Sequence, residues 1–131
     1  MAGPADWFTG QVWVEGVLGL GAVTQGSRLA AAQVTFSPGA RTAWHTHPVG
    51  QTLLVTSGVG WVQKEGEPAT QITAGDVVLI AAGENHWHGA HAGHSMVHIA
   101  MQEADASGEV VVWGRQVTDA EYGNASGSAH L

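Results

Sequence analysis

The chain has 131 residues, with 4 Lys plus Arg against 11 Asp plus Glu, 8 His, 6 Trp, 19 Gly and no Cys, for a formal net charge of -7. A chain of this length can bury one core of its own, and without cysteine neither a disulfide framework nor a thiolate metal site is available. Only Arg28, Arg41, Lys64 and Arg115 could meet phosphates, so neither nucleic acid nor an anionic membrane surface is expected as a partner.

Apolar stretches such as Val77 to Ala82 fall far below the ~18 residues of a membrane span. The N-terminus has no basic region followed by an apolar segment, so the expected compartment is the cytoplasm. Short segments rich in Val, Ile, Thr and Trp recur between Gly-containing turns, and no long stretch carries apolar residues at helical spacing. This pattern predicts an all-β domain, a sandwich or barrel.

Strands are expected over 11–15, 29–36, 43–47, 51–57, 60–64, 70–73, 76–80, 86–90, 96–101 and 110–113. Ser37-Pro38-Gly39, Glu65-Gly66-Glu67-Pro68, Ala74-Gly75-Asp76 and Ala81-Ala82-Gly83 supply turn residues between them. Thr118 followed by Glu121 has the form of a capping box, which predicts a single helical turn over 117–122. The domain is therefore expected to span 1–122, and the small, polar residues 123–131 to form a flexible tail.

Histidine is the unusual feature. In Trp44-His45-Thr46-His47 a strand would put both imidazoles on one face and Trp44 and Thr46 on the other; Gln51 keeps the histidine parity. His86 lies on a later strand and could close a chelate with these three residues. Neutral imidazole is a common metal ligand, and three nitrogens plus one amide oxygen leave coordination positions open for chemistry. On the H-x-H pair alone, half-buried histidines satisfied by hydrogen bonds would be the plainer reading.

The flanking residues change that. Gly39, His45, His47, Gln51 and Gly58 reproduce the spacing of the first cupin motif, G-x5-H-x-H-x3-E-x6-G, with Gln51 in place of Glu. Gly75, Gly83 and His86 match the second, G-x5-P-x-G-x2-H-x3-N, with Ala81 and Ala90 at the Pro and Asn positions. The chain resembles the cupins, and the resemblance implies a single-domain jelly-roll barrel, the double-stranded β-helix, holding a metal through His45, His47, Gln51 and His86. The segments Gly3 to Gly10, Pro38 to Pro48 and His86 to Ala90 are similar to the bacterial cupin-type hydroxynitrile lyases of acidobacteria. In that group three His and one Gln hold a manganese-type centre, so Gln51 agrees with the subgroup. Manganese is favoured by this resemblance alone; ligand softness leaves Fe, Ni, Co and Zn open.

Replacing Glu by Gln keeps the full +2 charge of a divalent ion, which makes it a stronger Lewis acid and favours addition and elimination chemistry. On the strand that follows, Met96, His98, Ala100 and Gln102 share one face. His98 is read as general base for a substrate hydroxyl, and Gln102 as a hydrogen-bond partner; the related lyases carry His and Gln at the matching positions. His88 has the parity of His86 and could move a proton or orient substrate, and Thr42 could bind a substrate oxygen. Ala32 and Val34 are small residues on one strand face, leaving room for an aromatic substrate, while His91 and His94 read as solvated loop residues. Trp44 and Trp87 lie opposite their neighbouring histidines, so they would pack outside the barrel layer, against covering strands or another subunit. A homo-oligomer, dimer or tetramer by family resemblance, is expected.

The resemblance implies a lyase that interconverts cyanohydrins such as mandelonitrile with an aldehyde and hydrogen cyanide. A metal-dependent dioxygenase and a non-catalytic metal or small-ligand binding module are the other readings, since a barrel and a metal do not specify the substrate.

Overall fold

The computed structural model describes residues 1–18 and 27–128. Its elements in chain order are β1 (Phe8–Thr9), β2 (Val12–Leu18), β3 (Leu29–Phe36), β4 (Arg41–Thr42), β5 (His45–Thr46), β6 (Gln51–Lys64), β7 (Thr70–Thr73), β8 (Val77–Ile80), β9 (His86–Ala90), β10 (Met96–Glu103), β11 (Val112–Trp113) and α1 (Asp119–Ser128). The strands join into one antiparallel sheet curled into a nearly closed barrel, the all-β fold expected. One wall runs β8-β6-β10-β3-β2; the other is built from β1, β4, β9 and β7 together with β5 and β11, and again includes β6. Among the described residues no helix is long and apolar enough to cross a membrane.

The two walls share β6 because that strand is continuous for 14 residues. The expected break between 57 and 60 is instead a bend within the strand. Gly58 has a φ of +82, and a Cβ there would collide with the Ser95 carbonyl, so only glycine lets the strand pass from one wall to the other. Its first half pairs with β8 and β10, its second with β7 and β9. The expected strand over 43–47 is also divided. Ala43 and Trp44 interrupt it, their amides donating to the carbonyls of Trp7 and Arg115, and leave the two-residue strands β4 and β5 on either side. At two residues, β1 is too short to have shown an alternating pattern.

Alternation holds along β10 and the second half of β3. Val34, Phe36, Met96, His98 and Ala100 turn inward and are buried, joined in the core by Phe8, Val12, Val55, Val62 and Ile80. A second cluster lies outside this layer: Trp44, Trp61 and Trp87 pack with Val117, Tyr122 and Ala125. The tryptophans opposite the histidines are thus covered by the chain's own C-terminal helix, and they supply no reason to expect a partner subunit. Exposed large apolar side chains lie instead on β2 and β8, at Trp13, Val17, Val77 and Leu79.

The helix is longer than the single turn expected. It begins with the expected capping box, in which the Glu121 amide donates to Thr118 Oγ1 at 3.1 Å and the Thr118 amide donates to Glu121 Oε1 at 2.9 Å. It then continues through Gly123 to Ser128, where a tail was expected; residues 129–131 lie outside the described residues. Packing holds it there. Tyr122 donates its hydroxyl to the Ala90 carbonyl at 2.5 Å, and the buried Arg41 guanidinium lies 4.7 Å from the Tyr122 ring centre while donating to the Val117 carbonyl and Asp119. Trp87 is fully buried and donates to Gln63 Oε1. Trp87→Ala should therefore cost about 3–5 kcal/mol in urea unfolding followed by circular dichroism.

Candidate metal centre

The barrel topology gathers the predicted residues at one end. His45 on β5 pairs directly with His86 on β9, and His88 follows two residues on with the same inward parity. Gln51, at the start of β6, lies opposite Gln102 on β10, and His98 lies between Val34 and Val55 on the flanking strands. His45, His47, Gln51, His86, His88 and His98 are all buried.

Three imidazoles are held in one tautomer by main-chain oxygens. His45 Nδ1 lies 2.8 Å from the Ala43 carbonyl, His47 Nδ1 2.7 Å from that of Val110, and His86 Nδ1 2.9 Å from that of Glu84. A carbonyl can only accept, so each Nδ1 carries the hydrogen and each Nε2 keeps its lone pair. This is the usual arrangement by which a backbone group orients a metal-binding imidazole. His47 Nε2 is buried without a hydrogen-bond partner.

His88 is held differently: its Nδ1 lies 2.9 Å from His98 Nε2, so one ring of this buried pair donates to the other. His88 Nε2 has no partner, and the His88 backbone amide donates to Thr42 Oγ1 at 3.2 Å. Ligand nitrogens of His45, His86 and His88 lie within 4.8 Å of one another, a group that could hold a metal ion. His88 thus joins His45 and His86 in this group, in the place where sequence reasoning puts His47. The carbonyl-anchored set remains His45, His47 and His86.

Gln51 adds an oxygen. Its Nε2 donates to Gln102 Oε1 at 3.2 Å, which leaves Oε1 3.1 Å from His86 Nε2. With Nδ1 of His86 protonated, two acceptors face each other at hydrogen-bond distance, a costly arrangement without a cation and a favourable one beside it. The donor set of neutral imidazoles and one amide oxygen fits a divalent metal.

A cavity of about 170 Å³ opens beside these residues. Ala32, Val34, Thr42, His45, His47, Gln51, His88, His98 and Gln102 line it, so every predicted site residue except His86 borders the cavity, and His86 lies directly behind, against Gln51 and His45. Sequence reasoning missed the aromatic wall. Trp113 on β11 lies 4.7 Å from the His45 ring and stacks on Trp7 at 5.2 Å, with Phe8 beside them. It also missed Val110, whose segment is tied by Asp105: that carboxylate accepts from the Ser107 amide and hydroxyl and from the Glu109 amide. As expected, His91 and His94 lie in a loop away from this cavity; His91 stacks on Trp61 and accepts from the Gly93 amide.

Burial pushes these histidines down. His86 and His98 fall to about 4 from an ordinary 6.5, in both cases chiefly because the barrel interior desolvates the imidazolium. His45 and His88 are held well below the ordinary value for the same reason, with neighbouring histidines adding repulsion, and His47 is lowered by burial as well. The unfolded chain therefore takes up protons that the folded, metal-free protein refuses. Stability is fully present above about pH 6.5 and is lost as the pH falls towards 4, on the order of 3 kcal/mol for a histidine shifted this far. The melting temperature of metal-free protein should accordingly drop steeply across this window in calorimetry.

The fold and this histidine centre define a small barrel with a group of side chains that could hold a metal ion. The chain belongs to the cupins: the Cupin domain family profile matches residues 32–101. It is 51% identical over 120 residues, 92% of this chain and 88% of the relative, to an (R)-mandelonitrile lyase from Granulicella tundricola. Among solved structures it is similar to a cupin-like protein from Thermotoga maritima, with 39% identity, a TM-score of 0.88 and coverage of 95% of this chain and 92% of that one. A DMSP lyase from Ruegeria pomeroyi shares the fold at 21% identity, with a TM-score of 0.65 over 82% of this chain and 52% of that one.

Proposed function

We propose that this protein is a metal-dependent lyase that cleaves aromatic cyanohydrins of the mandelonitrile type into an aldehyde and hydrogen cyanide. The observation that carries this reading is the pairing of a carbonyl-anchored three-histidine set with a free, buried His88 Nε2 beside a small, mostly apolar cavity. The relative named (R)-mandelonitrile lyase supports it.

In this reading His45, His47, His86 and Gln51 hold a divalent ion, with manganese favoured by the resemblance. When bound, that ion supplies Lewis acidity undiminished by any carboxylate ligand. His88 takes the substrate hydroxyl proton on Nε2. Burial keeps His88 neutral at pH 7; its Nε2 is free to take the proton when Nδ1–H donates to His98 Nε2, and that bond persists once the ring is charged. The sequence analysis reads His98 as general base; we assign the proton to His88 because it groups with His45 and His86 and has an unpartnered Nε2, whereas His98 lies outside that group and is bonded to His88 Nδ1.

As the O–H proton leaves, its electron pair forms the carbonyl, the carbon–carbon bond breaks, and cyanide departs with the bonding pair. The proton on His88 then converts cyanide to hydrogen cyanide. Thr42 already accepts the His88 amide, which leaves its hydroxyl hydrogen to donate to the substrate oxygen. Ala32 and Val34 leave room for an aryl ring that Phe8 and Trp113 flank.

Benzaldehyde release from mandelonitrile by manganese-loaded protein should persist without oxygen, and His88→Ala should lower kcat about 100-fold or more at unchanged metal content. Turnover that stops on removing oxygen would overturn the reading and favour the dioxygenase alternative. Gln51→Glu should bind metal and turn over more slowly, because the carboxylate removes one unit of charge from the centre.

A further inference from the structure

We propose that Gln102 is a positioning residue that decides which end of the Gln51 carboxamide faces the metal and thereby sets the affinity of the centre. The inference rests on the metal-centre reading above.

A carboxylate offers the same atom at both ends. A carboxamide of nearly identical shape offers an acceptor at one end and two hydrogens at the other, so half of its orientations present N–H to the cation. A centre that uses glutamine therefore needs something beyond the ligand itself to fix the oxygen inward. Gln102 is the partner the fold provides. It lies directly opposite Gln51 in the β6–β10 register, and its Oε1 accepts the Gln51 Nε2–H at 3.2 Å. With its hydrogens committed there, Gln51 can turn only its oxygen towards His86.

With Gln102 Oε1 as the acceptor, the opposite orientation of Gln51 would set its own oxygen against that oxygen and bring its amide hydrogens to the ion. Nothing in this depends on Gln102 touching the ion.

The test is the Mn(II) dissociation constant of metal-stripped protein, titrated while free Mn(II) is followed by electron paramagnetic resonance. Gln102→Met keeps the length of the side chain and removes both its donor and its acceptor; it should weaken Mn(II) binding about tenfold or more. The same substitution in a Gln51→Glu background should change affinity by less than about threefold, because a carboxylate has no wrong end to hide. Gln102→Leu serves as the second variant, and melting curves of the stripped proteins identify any that fail to fold. Equal losses in both backgrounds would mean that residue 102 acts only through packing and would overturn the proposal, as would no loss in either. Failure of the unsubstituted protein to take up Mn(II) would overturn the metal-centre reading itself and this proposal with it.

Discussion

Everything at the open end of this barrel depends on holding uncharged imidazoles where water cannot reach them. A buried imidazolium costs several kcal/mol, so the rings must be neutral, and a neutral ring has one donor and one acceptor that have to be assigned. The backbone makes the assignment. Carbonyls of Ala43, Glu84 and Val110 accept from His45, His86 and His47, which leaves three lone pairs directed away from the main chain. Two of these carbonyls come from the residue two positions before the histidine they hold, so the local chain path fixes the ring; the third reaches His47 from a distant loop.

The rest of the fold serves that arrangement. A strand that bends at Gly58 joins both walls, bringing Gln51 to the side of His86 while Val55 on the same strand lies opposite His98. The bend is tolerated because glycine has no Cβ to meet the Ser95 carbonyl. Outside the barrel, a second apolar layer of Trp44, Trp61 and Trp87 is closed by Tyr122 and Ala125, so the strands that carry the histidines are packed on both faces. Rigidity at the site follows from that double packing.

Much of the site was legible because period and spacing carry it. His45, His47 and Gln51 share parity, His86 and His88 share theirs, and the inward face of β10 reads directly as Met96, His98, Ala100, Gln102. The capping box was legible too, down to both reciprocal bonds. The length of the helix was not. Gly123, Asn124 and Ser126 are poor helix formers, and the segment is held by Tyr122, Ala125 and Arg41 against distant strands, an effect of tertiary packing invisible to a local reading. The carbonyl anchors were equally hidden, since a main-chain oxygen has no residue type to betray it. Trp113 and Phe8 gave no signal because each sits on a two-residue strand, too short for alternation to reveal which way a side chain points.

The segment from Asp105 to Val111 joins two properties that an enzyme would otherwise adjust separately. Its side chains Val110 and Val111 border the cavity, while its main-chain oxygen at Val110 steers His47. Substitution alters the first without touching the second, because any residue but its backbone can change and still offer the same carbonyl. Insertion or deletion cannot, since the Asp105 knot measures the distance from β10 to that oxygen. Descendants of this chain are therefore free to vary the walls of the cavity by exchange of side chains, while the length of the loop is held by the imidazole beneath it.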